Sequence, residues 1–420
     1  MGGEDLGDRA RRLPHPHHNH DRHVVPQVGI HDVQGHHCAE ERLAGDSDES
    51  AELRHGFASV RLRSQRVVPC CLVGVDLAAT DAQGGGPEGR RIWKDKVDEL
   101  AHRGIRLCDL LAFWEQLMAK QVMPHFDPMR STTNDVVRQV IIPLSRDRDP
   151  NGGGRALATV WLQQRGETRL LAKSMVTHNW ANLFWHLVAA VVADQLGQST
   201  YASVADDLLS RSRLRKLRQA LASKGVLDMT FWICAFAINQ HAGICGGFGP
   251  EPTEGTPQFA EFESKKRDTV TSEVFKVCNC RLKKRFNSEP AMCEMNKFDD
   301  MMRLLARMHK EFSHLIVVDS TFDVFFRAWC VAEIVESDRS NITQRIMIHS
   351  QETLDRHYDR LLRLDVRDCQ ASRQEDKDMI MKQIGDEDAI DAFNSRLAWN
   401  IFGTEGLFSA WYDGQQRASL

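Results

Sequence analysis

Four short apolar runs punctuate the chain: Leu170, Leu171, Met175 and Val176; residues 231–238 (FWICAFAI); residues 314–318 (HLIVV); and residues 345–348 (RIMI). All four read as strands, and the unbroken runs 231–238 and 315–318 suit strands buried on both faces, as in a parallel sheet. A polar break follows each one: Thr177, His178 and Asn179; Asn239, Gln240 and His241; Asp319 and Ser320; His349, Ser350 and Gln351. Apolar residues then return at helical spacing. Trp180, Phe184, Leu187, Val188, Val191, Val192 and Leu196 share one broad face closed by Gly197, and Trp329, Val331, Ala332, Ile334 and Val335 lie on adjoining turns. Phe298, Met301, Met302, Leu305 and Met308 mark a helix ahead of the third strand, and residues 353–364, 372–385 and 387–401 carry three more after the fourth. Ser372 and Glu375 form a capping-box pattern for the second of these. The alternation predicts an α/β domain with a parallel sheet covered by helices on both faces.

The flanking segments read differently. Residues 1–88 hold eight of the eighteen histidines before position 40 and none of the nine tryptophans, and they end in a glycine-rich stretch. So little apolar area cannot offset chain entropy, and the segment reads as a disordered tail with one short strand at 67–75. Residues 89–155 read as a helical lead-in that packs on the main domain. Leu107, Leu110, Leu111, Trp114, Leu117 and Met118 recur at helical spacing, and Thr132 with Asp135 offers capping side chains before Val136. The α/β domain spans 156–410. It contains a basic surface helix near 205–223, read as a solvated face, and a long irregular insertion at 242–293.

Composition narrows the classes. A 420-residue chain with 42% hydrophobic residues can bury a full core, and a net charge of −4 leaves no electrostatic footprint for nucleic acid. Eleven scattered cysteines point to a reduced interior rather than a disulfide framework. No apolar stretch reaches the length of a membrane span, and no signal-peptide pattern opens the chain. A cytoplasmic protein is expected.

The segment AWCVAEI at 328–334 resembles the W-C-x-x-E-[LI] signature that opens the third helix of Toll/interleukin-1-receptor-like (TIR) domains, where it also follows a buried strand and a short polar loop. The order of elements over about 166–405 is similar to that of a TIR domain, which implies a flavodoxin-like fold. Algal and protist TIR-like families often carry a His-Trp pair after the first strand and Asn-Gln after the second, a description that His178, Trp180, Asn239 and Gln240 fit. The resemblance implies a signalling protein that self-associates. In the TIR domains that cleave NAD it implies a catalytic glutamate, here Glu333. Many TIR domains act by self-association without catalysis.

Ligands of open parallel sheets bind beyond the carboxyl ends of the strands. Thr177, His178, Asn239, Gln240, Asp319 and Ser320 fall there, with Glu333 on a helix bordering the same mouth. Cleavage of the N-glycosidic bond of NAD passes through a ribose cation that a carboxylate stabilises, and nicotinamide leaves neutral. Glu333 would be that carboxylate, Trp180 or Trp329 would stack on a ring, and His178 would touch a phosphate. No cofactor is required. The plain alternatives are polar loops without a ligand, Trp329 and Cys330 as core, and Glu333 as a surface carboxylate beside Arg327. A non-catalytic interaction module of the same fold is the rival reading.

Two features depart from the family. The connection after the second strand is some fifty residues long, and no arginine-rich phosphate loop follows the first. Neither GxGxxG nor GxxxxGK[ST] occurs, which removes support for Rossmann and P-loop nucleotide binding. The insertion region carries Cys245, Cys278, Cys280 and Cys293, four thiols that could hold a zinc ion. The third reading is thus a zinc-stabilised binding protein, although Cys-x-Cys is tighter than the usual Cys-x2-Cys knuckle and His241 beside Cys245 is a weak signal.

Overall fold

A computed structural model of the chain describes residues 86–402 apart from positions 148, 150, 151, 287, 288, 362, 372 and 373. The histidine-rich tail up to residue 85, the strand expected at 67–75 and the Ser372 cap lie outside the described residues. The sheet has five strands: β1 (Ile105–Arg106), β2 (Ser174–Thr177), β3 (Thr230–Ile233), β4 (Ser313–Val317) and β5 (Thr343–Met347). Their order is β1-β3-β2-β4-β5. The last four in chain order are parallel. β1 runs antiparallel to β3, with Ile105 opposite Phe231 and Arg106 opposite Thr230. The predicted α/β architecture with a mainly parallel sheet is therefore present.

The apolar runs make this sheet because successive side chains leave a strand on opposite faces, and both faces of β2, β3 and β4 are covered; the edge strand β5, part of the sheet expected to be covered throughout, buries only Met347. Val176, Phe231, Ile233, Leu315 and Val317 point one way, into a cluster with Leu111, Trp114, Phe184, Val188 and Leu217. Met175 and Trp232 point the other way and meet Trp93, Leu100, Phe298, Met302 and Leu305. Ile316 joins Val331, Ile334, Leu354 and Phe393 in a third cluster. All of β2, β3 and β4 is buried as a result.

Several boundaries differ from the expectation. Only the first part of FWICAFAI is extended; Cys234–Ala237 coils into a helical turn. The coil directs Phe236 toward Phe113, Trp161 and Phe184, with ring centroids 5.5, 5.4 and 6.3 Å away. The basic surface helix is two helices, Ala202–Leu208 and Arg211–Ser223, separated by an extended Ser210. Gly197 does close the Phe184–Leu196 helix, in the left-handed conformation (φ 78°) that favours glycine. Thr132 caps the turn after it through a reciprocal box with Asp135.

The segment read as a lead-in is built into the domain. A helix, Gly86–Ala101, starts inside the stretch assigned to the tail. β1 forms an edge of the sheet, and the Leu107–Met118 helix supplies Leu110, Leu111, Phe113 and Trp114 to the core. Arg103, only 5% exposed, donates from both terminal nitrogens to Glu294 at 2.9 Å and to the Ala237 carbonyl at 2.8 Å. Glu294 also accepts the Asn239 backbone N–H at 2.8 Å. The insertion contains one nine-residue helix, Pro257–Lys265, capped by Thr256, within otherwise irregular chain. No helix among the described residues is long and apolar enough to cross a membrane.

Candidate functional site

The helix Ala328–Arg339 packs across the sheet and turns Glu333 inward. Its stripe Cys330, Glu333, Ile334, Ser337 follows the i, i+3, i+4, i+7 spacing, and all four residues are buried. Thr177, the last residue of β2, donates its hydroxyl to Glu333 Oε2 and lies 2.6 Å from Nε2 of His314 on β4. Nδ1 of His314 has no hydrogen-bond partner. A buried N–H without an acceptor costs more than a bare lone pair, so we assign the proton to Nε2. The chain of donation is then His314 Nε2–H to Thr177, and Thr177 O–H to Glu333.

Burial sets the charge state of this row. It pushes the Glu333 carboxyl up to about 8, against the hydrogen bond from Thr177 and helped by nearby Asp299. Desolvation holds His314 down at about 3, aided by Arg345, and His178 at about 4. All three are therefore predominantly neutral at pH 7. The Cys234 thiol is pushed up to about 12 by burial and by Glu333, and Cys330 rises for the same reasons. The site is a buried, neutral hydrogen-bonded network linking the carboxyl end of β2, the start of β4 and the Ala328–Arg339 helix.

Most of the other expected residues have partners of their own. Trp180 donates its indole N–H to Cys234 Sγ at 3.2 Å. The His178 carbonyl receives Cys330 Sγ at 3.7 Å, while Nε2 of His178 is buried without a partner. Asn239 donates to the Gly154 carbonyl at 3.0 Å, and Gln240 donates to the Cys234 and Ala235 carbonyls at 3.3 Å, so both hold the loop that follows β3. Asp319 accepts the backbone N–H groups of Thr321, Asp323 and Val324 and shapes the turn after β4. Ser320 is exposed. Trp329 is half-buried, edge-on to Phe298 at 6.1 Å. Glu333 itself is 7% exposed, which corrects its reading as a surface carboxylate beside Arg327.

The cysteines of the insertion region divide. Cys245, Cys278 and Cys280 come together with His241, and Cys293 is not one of the group. Cys293 precedes the helix Phe298–Met308, where its carbonyl receives the Lys297 ammonium. Sequence reasoning missed His314, a histidine inside an apolar strand, and set aside His241. Comparison with protein-family models, curated proteins and solved structures returns no match.

Proposed function

We propose that the chain is a TIR-like signalling module that acts through protein contacts, including self-association, with Glu333 as an internal brace. The observation that carries this reading is the state of Glu333: buried, neutral and tied to Thr177, at the position where the W-C-x-x-E resemblance would put a catalytic carboxylate. A carboxylate that stabilises a ribose cation must be ionised and must reach the sugar. Strand order supports the TIR-like part. Among the four parallel strands, numbered along the chain, it runs second, first, third, fourth, as in the first four strands of a flavodoxin-like sheet. Three of the seven exposed large apolar side chains among the described residues, Val274, Val277 and Met292, sit on the insertion, which suits a partner-binding element. No disulfide joins the described cysteines, in keeping with a cytoplasmic setting.

The second reading is hydrolysis of the N-glycosidic bond of NAD through Glu333. A strongly shifted carboxyl bonded to the last residue of a central parallel strand favours it. The full chain, concentrated or clustered on a scaffold, separates the two. The brace reading expects concentration-dependent assembly by light scattering, no release of nicotinamide from NAD, and unchanged assembly in Glu333→Gln. Turnover that disappears in a folded Glu333→Gln variant overturns it in favour of catalysis. A protein that stays monomeric throughout sinks the self-association.

A further inference from the structure

The insertion after β3 returns to its own start through four ligand-type side chains. One ring nitrogen of His241 and the sulfurs of Cys245, Cys278 and Cys280 all lie within 4.8 Å of one another. The Cys245 and Cys280 sulfurs are 3.5 Å apart, and Cys278 Sγ is 3.7 Å from His241 Nδ1. Zinc–sulfur bonds near 2.3 Å in a tetrahedron separate sulfurs by about 3.8 Å, so the four atoms stand close to that geometry already.

The surroundings of the cluster match a metal site as well. His241 Nε2 lies 3.0 Å from the Ile142 carbonyl and 3.2 Å from Ser145 Oγ. The Ser145 hydroxyl is 2.6 Å from the Ile141 carbonyl, which takes its proton. Nε2–H is then the donor to Ile142, and the Nδ1 lone pair faces Cys278. A metal-bound imidazole is oriented in this way, its far nitrogen donating to a backbone carbonyl. Gly154 lies against the ring so closely that a Cβ there would fall 2.2 Å from it, which fixes the plane of the imidazole. Lys284 contributes the balancing charge. Its ammonium is 3.0 Å from Cys245 Sγ and 3.6 Å from Cys280 Sγ. Three thiolates and a neutral imidazole around a divalent ion carry one net negative charge, which a buried site needs to neutralise.

From this geometry we infer that His241, Cys245, Cys278 and Cys280 form a structural zinc site. Soft sulfur donors with one imidazole select zinc, and four protein ligands leave no open coordination position for catalysis. The ion ties the chain at 278–280 to the loop leaving β3 and closes residues 246–277 into a ring. The cross-link removes part of the entropy of a long irregular segment. It joins the start of the insertion to its later part and is separate from the Glu333 network.

The test uses the full chain, purified reduced and loaded with Co(II) in place of zinc. A histidine-rich tail can take up metal as well, so the readout is the thiolate-to-cobalt charge-transfer absorption, which imidazoles alone do not give. The expected result is one equivalent with that band and tetrahedral visible bands, displaced by one equivalent of zinc. The band is lost in Cys278→Ser/Cys280→Ser. A folded chain without the band, or one that keeps it unchanged in the double variant, overturns the site. His241→Cys decides the matter if the double variant does not fold: a spectrum shifted by a fourth thiolate supports the site, and an unaltered one overturns it.

Discussion

Replacing Glu294 with Ala is expected to lower the unfolding free energy by about 3 kcal/mol or more, because breaking a buried ion pair leaves its partner's charge without compensation. Arg103 would keep only the half-exposed Glu99 as a charged partner, and the Asn239 N–H would lose its acceptor. The carboxylate joins three segments at once: the end of the Gly86–Ala101 helix, the carbonyl region after β3 and the entry to the Phe298–Met308 helix. Urea denaturation followed by far-ultraviolet circular dichroism measures the effect. The double change Arg103→Met/Glu294→Leu should cost less than Glu294→Ala alone, since it removes both charges together. A loss under about 1 kcal/mol in the single variant would mean that water solvates Arg103 and the pair is not a brace.

Glu333→Ala is expected to cost about 2–3 kcal/mol, and Glu333→Gln clearly less, because alanine leaves Thr177 without its acceptor and opens a void while glutamine keeps an oxygen in place. The pH dependence is the sharper measurement. The folded carboxyl titrates near 8, well above its ordinary value of 4.5. A group raised on folding contributes stability that is fully present below its unfolded pKa and is lost as pH rises through its folded pKa. The wild type should therefore lose stability relative to Glu333→Gln from about pH 4.5 to about pH 8, with a total on the order of several kcal/mol. Buried His314 and His178 act with the opposite sign below about pH 6.5, since the unfolded chain takes up protons that they refuse. The wild-type and Gln curves share that effect, so their difference isolates Glu333. Parallel curves from pH 5 to 9 would mean that the carboxyl is ionised and hydrated.

The central strands were legible in the sequence because a strand covered on both faces has no polar side to disguise it, as LIVV illustrates. The ends of those strands were not. Nothing local distinguishes an extended Ala235-Phe236 from a coiled one; the aromatic cluster around Phe113 decides, and it is assembled from distant segments. The same limit hid the partner of Glu333. The spacing of Glu333 from Cys330 and Ile334 matches an inward stripe that the surface-carboxylate reading passed over, and Thr177, which donates to it, and His314 behind Thr177 come from two separate strands. His241 and Cys245, four apart in a loop, carried little weight alone. They gained meaning only where Cys278 and Cys280 fold back on them, and Cys293 lost its assignment for the same reason. β1 is two residues long, below any periodicity.

That two-residue strand has a practical consequence. A fragment cut at Ala156, the apparent start of the domain, would strip β1 from β3 and leave the Thr230–Ile233 backbone with unanswered N–H and C=O groups beside a bare apolar surface. Such a truncated polypeptide should precipitate through strand-to-strand growth along that border, whereas one beginning at Gly86 keeps it sealed.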